Sequence, residues 1–270
     1  MAGGGSIDGG ITIGMGILLG HGGGGAVMGM GGGGPPVMIG PPGQSAPDDP
    51  TLTGLTAFMD ADVGITLGAG DVVTAWADQS GNANHMEQTV GGWEPNGINT
   101  AEIDGRDTIA LTGGRFLKWA PALDQAGEFD AWLIFRLDAA HGSCILMGRA
   151  SGDGLIAMSS GEQLQAGDTS MSVISTVNAC TPDNVFYAVR VIRNASNEFH
   201  CWVNGVDVTL VTPHVDAGSI DVDDIPSQNQ SITGSVAMAL LYSGTNLSVG
   251  AARVTWRYLE GQFPSIGITP

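Results

Sequence analysis

The stretch Val72-Val73-Thr74-Ala75-Trp76-Ala77-Asp78-Gln79-Ser80-Gly81-Asn82-Ala83-Asn84-His85 decides the fold. Its first five residues are β-branched, small or aromatic, which suits a pleated strand. Its second half carries Asp, Ser, Gly and Asn, which bond to nearby backbone or tolerate positive φ, so the strand must break there into a tight turn. Outward from this point, strand-like runs alternate with turn clusters at Asn96-Gly97, Asp104-Gly105, Gly113-Gly114, Gly152-Asp153-Gly154 and Asn204-Gly205. That spacing predicts an all-β sandwich or barrel. Asp104-Gly105 and Asn204-Gly205 predict hairpins, because both residues of each pair accept the φ of a type I′ turn. Helix is confined to Ser248–Leu259, with Ser248 as the expected N-cap.

Further stretches stand in order around the turn. Leu55-Thr56-Ala57-Phe58-Met59-Asp60-Ala61 precedes it, and Ala131-Trp132-Leu133-Ile134-Phe135-Arg136-Leu137 and the hairpin Phe199-His200-Cys201-Trp202-Val203-Asn204-Gly205-Val206 follow. The far end is Ala239-Leu240-Leu241-Tyr242-Ser243-Gly244-Thr245-Asn246-Leu247-Ser248, leading to Trp256-Arg257-Tyr258-Leu259-Glu260-Gly261. With the Trp-x-Asp-x-Ser-Gly-x-x-Asn-His turn, this series over residues 52–263 resembles the concanavalin A-like, laminin G-like jelly-roll domains of secreted and phage-borne proteins. The resemblance implies a two-sheet antiparallel jelly-roll sandwich with one short C-terminal helix, working in recognition rather than reaction. It implies no required cofactor, and it admits calcium at the sandwich rim.

The first 43 residues are a different material. They hold 19 glycines and no Lys or Arg, with apolar islets at Ile11 and Ile13, Leu18 and Leu19, Val27 and Met28, and Val37 and Ile39. Glycine runs lose much backbone entropy on ordering, so this irregular segment needs contacts from other copies or a larger assembly. Residues 1–43 are therefore expected to be an assembly arm, with a flexible linker as the alternative. A membrane-spanning helix is disfavoured because glycine runs and His21 break the 7–30 window, each glycine costing about 1 kcal/mol of helix propensity against alanine. Collagen is excluded because glycine does not recur at every third position. A proline-bearing hinge over 44–51 separates the arm from the sandwich at 52–263, and 264–270 is expected to be a tail.

A formal net charge of −18, from 9 Lys and Arg against 27 Asp and Glu, argues against a nucleic-acid partner, which needs a basic face. Cys144, Cys180 and Cys201 follow no metal or redox spacing, and Cys144 and Cys201 are expected as small apolar residues on strands. The N-terminus lacks the basic region of a secretory signal, whereas lectin-like sandwiches act outside cells. A virion protein, made in the host cytoplasm and released by lysis, satisfies both conditions.

Catalytic signals are missing. No Glu-x-Asp-x-Glu places paired carboxylates on one strand face, no Gly-x-Ser-x-Gly elbow occurs, and His21, His85, His141, His200 and His214 have no zinc spacing. Sugar binding needs an exposed aromatic platform beside polar groups. Trp93, in the turn-rich Gly91-Gly92-Trp93-Glu94-Pro95-Asn96, is the expected platform, with His85, Asn84 and Asn82 nearby in sequence. Trp76, Trp132 and Trp202 lie in strand-like runs and are expected in the core. Calcium, if held, would fall to Asp221, Asp223 and Asp224, or to the oxygen-rich turn of Asp78, Asn82 and Asn84.

The expectation for function is a phage virion structural protein, a spike, fibre or decoration module, displaying a lectin-like domain toward host-surface glycans from the virion surface. Its arm would form a homo-oligomer, a trimer in the first instance, and residues 1–50 would contact other virion proteins, with no membrane insertion. The alternatives are a secreted or cell-surface carbohydrate-binding module and a polysaccharide-degrading enzyme of the same fold.

Overall fold

A computed structural model of the chain describes residues 54–270, except 89, 139–141, 150–151, 169–170, 177 and 227–231. The arm residues, the hinge and His141 lie outside the described residues. The strands in chain order are β1 (Leu55–Asp60), β2 (Ile65–Leu67), β3 (Val73–Trp76), β4 (Met86–Glu87), β5 (Ile98–Ile103), β6 (Arg106–Thr112), β7 (Leu117–Trp119), β8 (Phe129–Leu137) and β9 (Cys144–Gly148). They continue as β10 (Gly154–Met158), β11 (Leu164–Gly167), β12 (Ser172–Val173), β13 (Phe186–Arg193), β14 (Phe199–Val203), β15 (Val206–Asp207), β16 (Asp224–Ile225) and β17 (Thr233–Ser243). One α-helix, α1 (Val249–Gln262), follows.

The strands make two antiparallel sheets of a concanavalin A-like sandwich. The first runs β15-β14-β13-β8-β17-β6-β5, with β1 also paired to β17. The second runs β12-β11-β10-β9-β16-β7-β4-β3-β2. The two-residue period of a strand sorts β8 cleanly. Phe129, Ala131, Leu133, Phe135 and Leu137 enter the core between the sheets, and Trp132 and Ile134 enter a second apolar cluster on the opposite face. That second cluster exists because α1 and the segment after it lie over the outer face of the first sheet. Trp256, Leu259, Phe263, Ile266 and Ile268 pack there against Trp132, Leu240 and Tyr242. The central strands are thus buried on both faces and read as nearly continuous apolar runs.

Local sequence explains the connections. Asp104 (φ 50°) with Gly105 (φ 80°) turns β5 into β6, and Asn204 (φ 51°) with Gly205 (φ 84°) turns β14 into β15. The Ser248 hydroxyl caps α1 by accepting from the Ala251 amide at 3.2 Å. Residues 264–270 are not a detached tail: Ile266 and Ile268 are buried, and the Thr269 amide donates to the Asn204 carbonyl at 2.9 Å. The same apolar periodicity that buries α1 continues through Phe263 and Ile266, so burial does not stop where the helix does. Trp76 and Trp132 are fully buried as expected, but Trp202 is only partly buried. In β14 the core takes Phe199, Cys201 and Val203, which turns His200 and Trp202 to the outer face.

Candidate functional site

The residues of the Asp78 turn come together as a strap across β1. One Asp78 carboxylate oxygen accepts from the Phe58 amide (2.8 Å) and the Ser80 amide (2.9 Å). The other accepts from the Ser80 hydroxyl (2.7 Å) and the Asn84 amide (2.9 Å). Four donors occupy the four lone-pair positions of the carboxylate, which leaves none for a metal. The Asn82 and Asn84 amides donate to the Leu55 and Thr56 carbonyls at 2.8 and 2.7 Å, and His85 Nδ1 accepts from the Asp78 amide at 2.9 Å. One end of each of these side chains is therefore engaged in holding the fold.

Trp93 stands apart from this strap. It is 40 % exposed, and its ring lies 6.1 Å from that of Phe116. Its flanking Glu94 side chain is engaged by the Gly92 amide at 2.6 Å. Trp93 is an exposed aromatic in a turn, with Arg115 donating to the neighbouring Glu94 carbonyl at 2.8 Å.

Asp221 and Asp223 face cations of the protein itself. Arg149 meets Asp221, and Lys118 reaches Asp223 at 3.0 Å. Asp224 is buried in β16, and burial lifts the nearby Asp153 carboxyl above the usual carboxylate range. Among the described residues no three carboxylate, His or Cys groups converge as metal ligands.

A different place gathers binding chemistry. On the outer face of the first sheet, where β13 and β14 meet the start of α1, a groove of about 370 Å³ is lined by Arg190, Ile192, Asn194, His200, Trp202, Asn246, Leu247, Ser248 and Val249. Its volume falls within the range of small-molecule sites, about 300–1,000 Å³. Register builds its floor: Arg190 pairs with both Trp132 and Trp202 across neighbouring strands, and Ile192 pairs with His200. The Arg190 guanidinium lies between the two indoles, 5.0 Å from the Trp132 ring and 4.6 Å from the Trp202 ring. It is held bidentate by the buried Asp130, with Nη2 to Oδ2 at 2.6 Å and Nε to Oδ1 at 3.0 Å. Burial pushes the Asp130 carboxyl up, and Arg190 and the Leu247 amide oppose it. A buried pair of this kind locks the Trp202 platform in place.

The walls of the groove carry polar groups with capacity left over. His200 stacks beside Trp202 with ring centroids 6.3 Å apart. Asn246 lines the groove and donates through its amide nitrogen to Glu128 at 3.3 Å, so its side-chain carbonyl oxygen keeps its capacity to accept. The Ser248 oxygen accepts the cap bond, and its own O–H is left to donate. A second cleft of about 380 Å³ lies on the same sheet face, beside Glu102, Asp104, Phe186 and Ser265. There Glu102 is paired with Arg136 at 2.7 Å, and Asp104 accepts from the Ser265 amide and hydroxyl. Its two carboxylates are thus matched within the protein, and it has no exposed indole, so the Trp202 groove is the candidate site.

Sequence reasoning missed Trp202 by treating every tryptophan in a strand as core. The signal was present in Phe199-His200-Cys201-Trp202-Val203, where apolar Phe, Cys and Val occupy one parity and His and Trp the other. Nothing local marked Asn246 and Ser248 as partners of Trp202, because only the sheet order brings them together.

No protein-family profile and no curated protein sequence matches the chain. Among solved structures, the chain is similar to the binding domain of Paraclostridial Mosquitocidal Protein 1, at 12% identity and TM-score 0.50, over 76% of this chain and 52% of that one. It is also similar to domain 4 of AbnA, a GH43 extracellular arabinanase from Geobacillus stearothermophilus, in complex with arabinotriose. That match has 15% identity and TM-score 0.50 over 74% of this chain and 96% of that one. The HCR/D W1238A mutant matches at 11% identity and TM-score 0.51, over 76% and 52%. The chain spans about half the length of the mosquitocidal and HCR/D chains. At these identities the likeness establishes the sandwich fold alone.

Proposed function

We propose that this chain is a glycan-binding module in which the Trp202 groove is the sugar site. The observation that carries this reading is a partly exposed indole fixed by a buried ion pair, with a stacked imidazole, an amide carbonyl and a hydroxyl around one small groove. Sugar rings present apolar C–H faces and polar edges, and an aromatic plate beside hydrogen-bonding groups matches both. Binding to arabinotriose by a domain of similar fold gives the proposal a structural precedent.

The setting we propose is a phage virion, with the glycine-rich arm as anchor and the sandwich displayed toward host-surface glycans. The apolar islets of residues 1–43 support self-association, most simply as a trimer, since closed symmetry would let arms bury them against one another. A secreted carbohydrate-binding module is the alternative setting. Binding rather than catalysis is part of this proposal, supported by the lack of a Glu-x-Asp-x-Glu strand in the sequence.

Glycan-array screening of the full-length chain, followed by calorimetry on a hit, tests the site. Trp202→Ala should weaken binding by about 1–3 kcal/mol. Retained affinity in Trp202→Ala with loss in Trp93→Ala would move the site to the loop rim. Light scattering on the full chain and on residues 48–270 tests the arm: an oligomeric full chain and a monomeric truncation are expected.

A further inference from the structure

Resting on the Trp202 groove as a sugar site, we infer that it selects an uncharged sugar bearing an acetamido group. Among the described residues, the groove offers no unpaired arginine or lysine to an acidic sugar. Its one guanidinium, Arg190, is bound on two nitrogens by Asp130, and Nη2 also approaches the Leu247 carbonyl at 3.4 Å. Two glutamates stand at its margins instead: Glu128 behind Asn246 at 3.3 Å, and Glu198 behind Asn194 at 2.8 Å. A sialic acid or uronate carboxylate would meet those negative charges without a free arginine or lysine to pair with.

The segment 246–249 supplies the complement of an acetamido group. Such a group has a methyl, an N–H donor and a carbonyl acceptor. Val249, 88 % exposed, lines the groove together with Leu247 and Ile192, and these apolar side chains offer a place for a methyl. The Asn246 carbonyl oxygen can accept from the N–H, and the Ser248 hydroxyl can donate to the carbonyl. All three features come from consecutive residues at the start of α1, held by the Ser248 cap and by the bond from the Leu247 amide to Asp130 at 3.0 Å. Their spacing is therefore fixed before a ligand arrives.

The test measures the full-length chain by calorimetry against chitotriose, cellotriose, the de-N-acetylated glucosamine trimer and sialyllactose. Chitotriose should bind at least about tenfold more tightly than cellotriose, the same backbone with hydroxyls in place of acetamido groups. Val249→Ala should reduce that preference with the melting temperature unchanged, since its side chain is 88 % exposed. Equal affinity for chitotriose and cellotriose overturns the acetamido assignment, and tighter binding of sialyllactose, which carries an acetamido group beside its carboxylate, overturns the choice of an uncharged sugar, while in both cases the groove remains a sugar site. No saturable binding to any of the four, or chitotriose binding untouched by Trp202→Ala, overturns the groove reading and this inference with it.

Discussion

At the scale of single residues, Asp78 shows how one side chain can set a local structure. Its two oxygens accept four hydrogen bonds, one from β1 and three from the turn that follows β3, so it ties the first strand of one sheet to the second sheet. It is 8 % exposed, and its removal would strand donors that water cannot easily reach. Asp78→Ala should cost about 2–4 kcal/mol of stability in urea unfolding, because each buried donor left unmet costs about 1–3 kcal/mol. Asp78→Asn keeps two acceptor positions and should cost less. Equal stability of Asp78→Ala and the parent chain would show that the strap is dispensable. Asp130 belongs to the same class of residue, but its buried charge serves the groove through Arg190.

At the scale of elements, the β14–β15 hairpin and the C-terminal segment lock one another. Gly205 has φ 84°, and a Cβ added there would collide with the Thr269 carbonyl. Thr269 in turn donates to Asn204, the other residue of the turn. Gly205→Ala combines the left-handed strain of about 1–2 kcal/mol with displacement of the C-terminal segment. The expected result is a loss of at least that size in chemical denaturation, with changed tryptophan emission as Ile266 and Ile268 leave the cluster around Trp256. A variant of unchanged stability would mean that the segment after α1 contributes nothing to the fold. The helix itself needs no such lock. Ser248 caps it, and Ala252, Thr255, Trp256 and Leu259 form its buried face.

At the scale of the whole molecule, the core between the two sheets encloses all three cysteines. None forms a disulfide. Burial pushes the Cys144 and Cys201 thiols up to about 12, and Cys180 is raised well above the ordinary thiol value for the same reason. The folded state thus favours the neutral thiol. The stability gained this way is complete below the ordinary thiol value near 8.5 and is lost as pH rises toward about 12. Since the thiolate is the reactive form, the native chain should resist alkylation at pH 8 and react at all three cysteines in 6 M guanidinium. Rapid native alkylation would show that the core around Cys144, Cys180 and Cys201 opens readily.

The sequence by itself determined the strands, the turns and the helix, because these follow from neighbours along the chain. Val72–Trp76 has the β-branched and aromatic residues of a strand, Asp104-Gly105 and Asn204-Gly205 accept positive φ, and Ser248 can cap whatever follows it. The resemblance carried the sandwich architecture, which the two antiparallel sheets bear out. The site was less legible. The expected polar cluster of Asn82, Asn84 and His85 is drawn into the Asp78 strap, since backbone donors and acceptors of β1 lie within reach of those side chains only in the folded chain. Asp221 and Asp223 likewise meet Lys118 and Arg149 from distant strands. Which face of β14 stays open depended on where α1 settles, and α1 stops short of Trp202 because its cap at Ser248 lies beside the groove. Alternation could have placed His200 and Trp202 on one side of the strand. Only sheet order, which pairs residues far apart in sequence, could bring Asn246 and Ser248 opposite them, and that order is fixed by packing of the whole core rather than by any local preference.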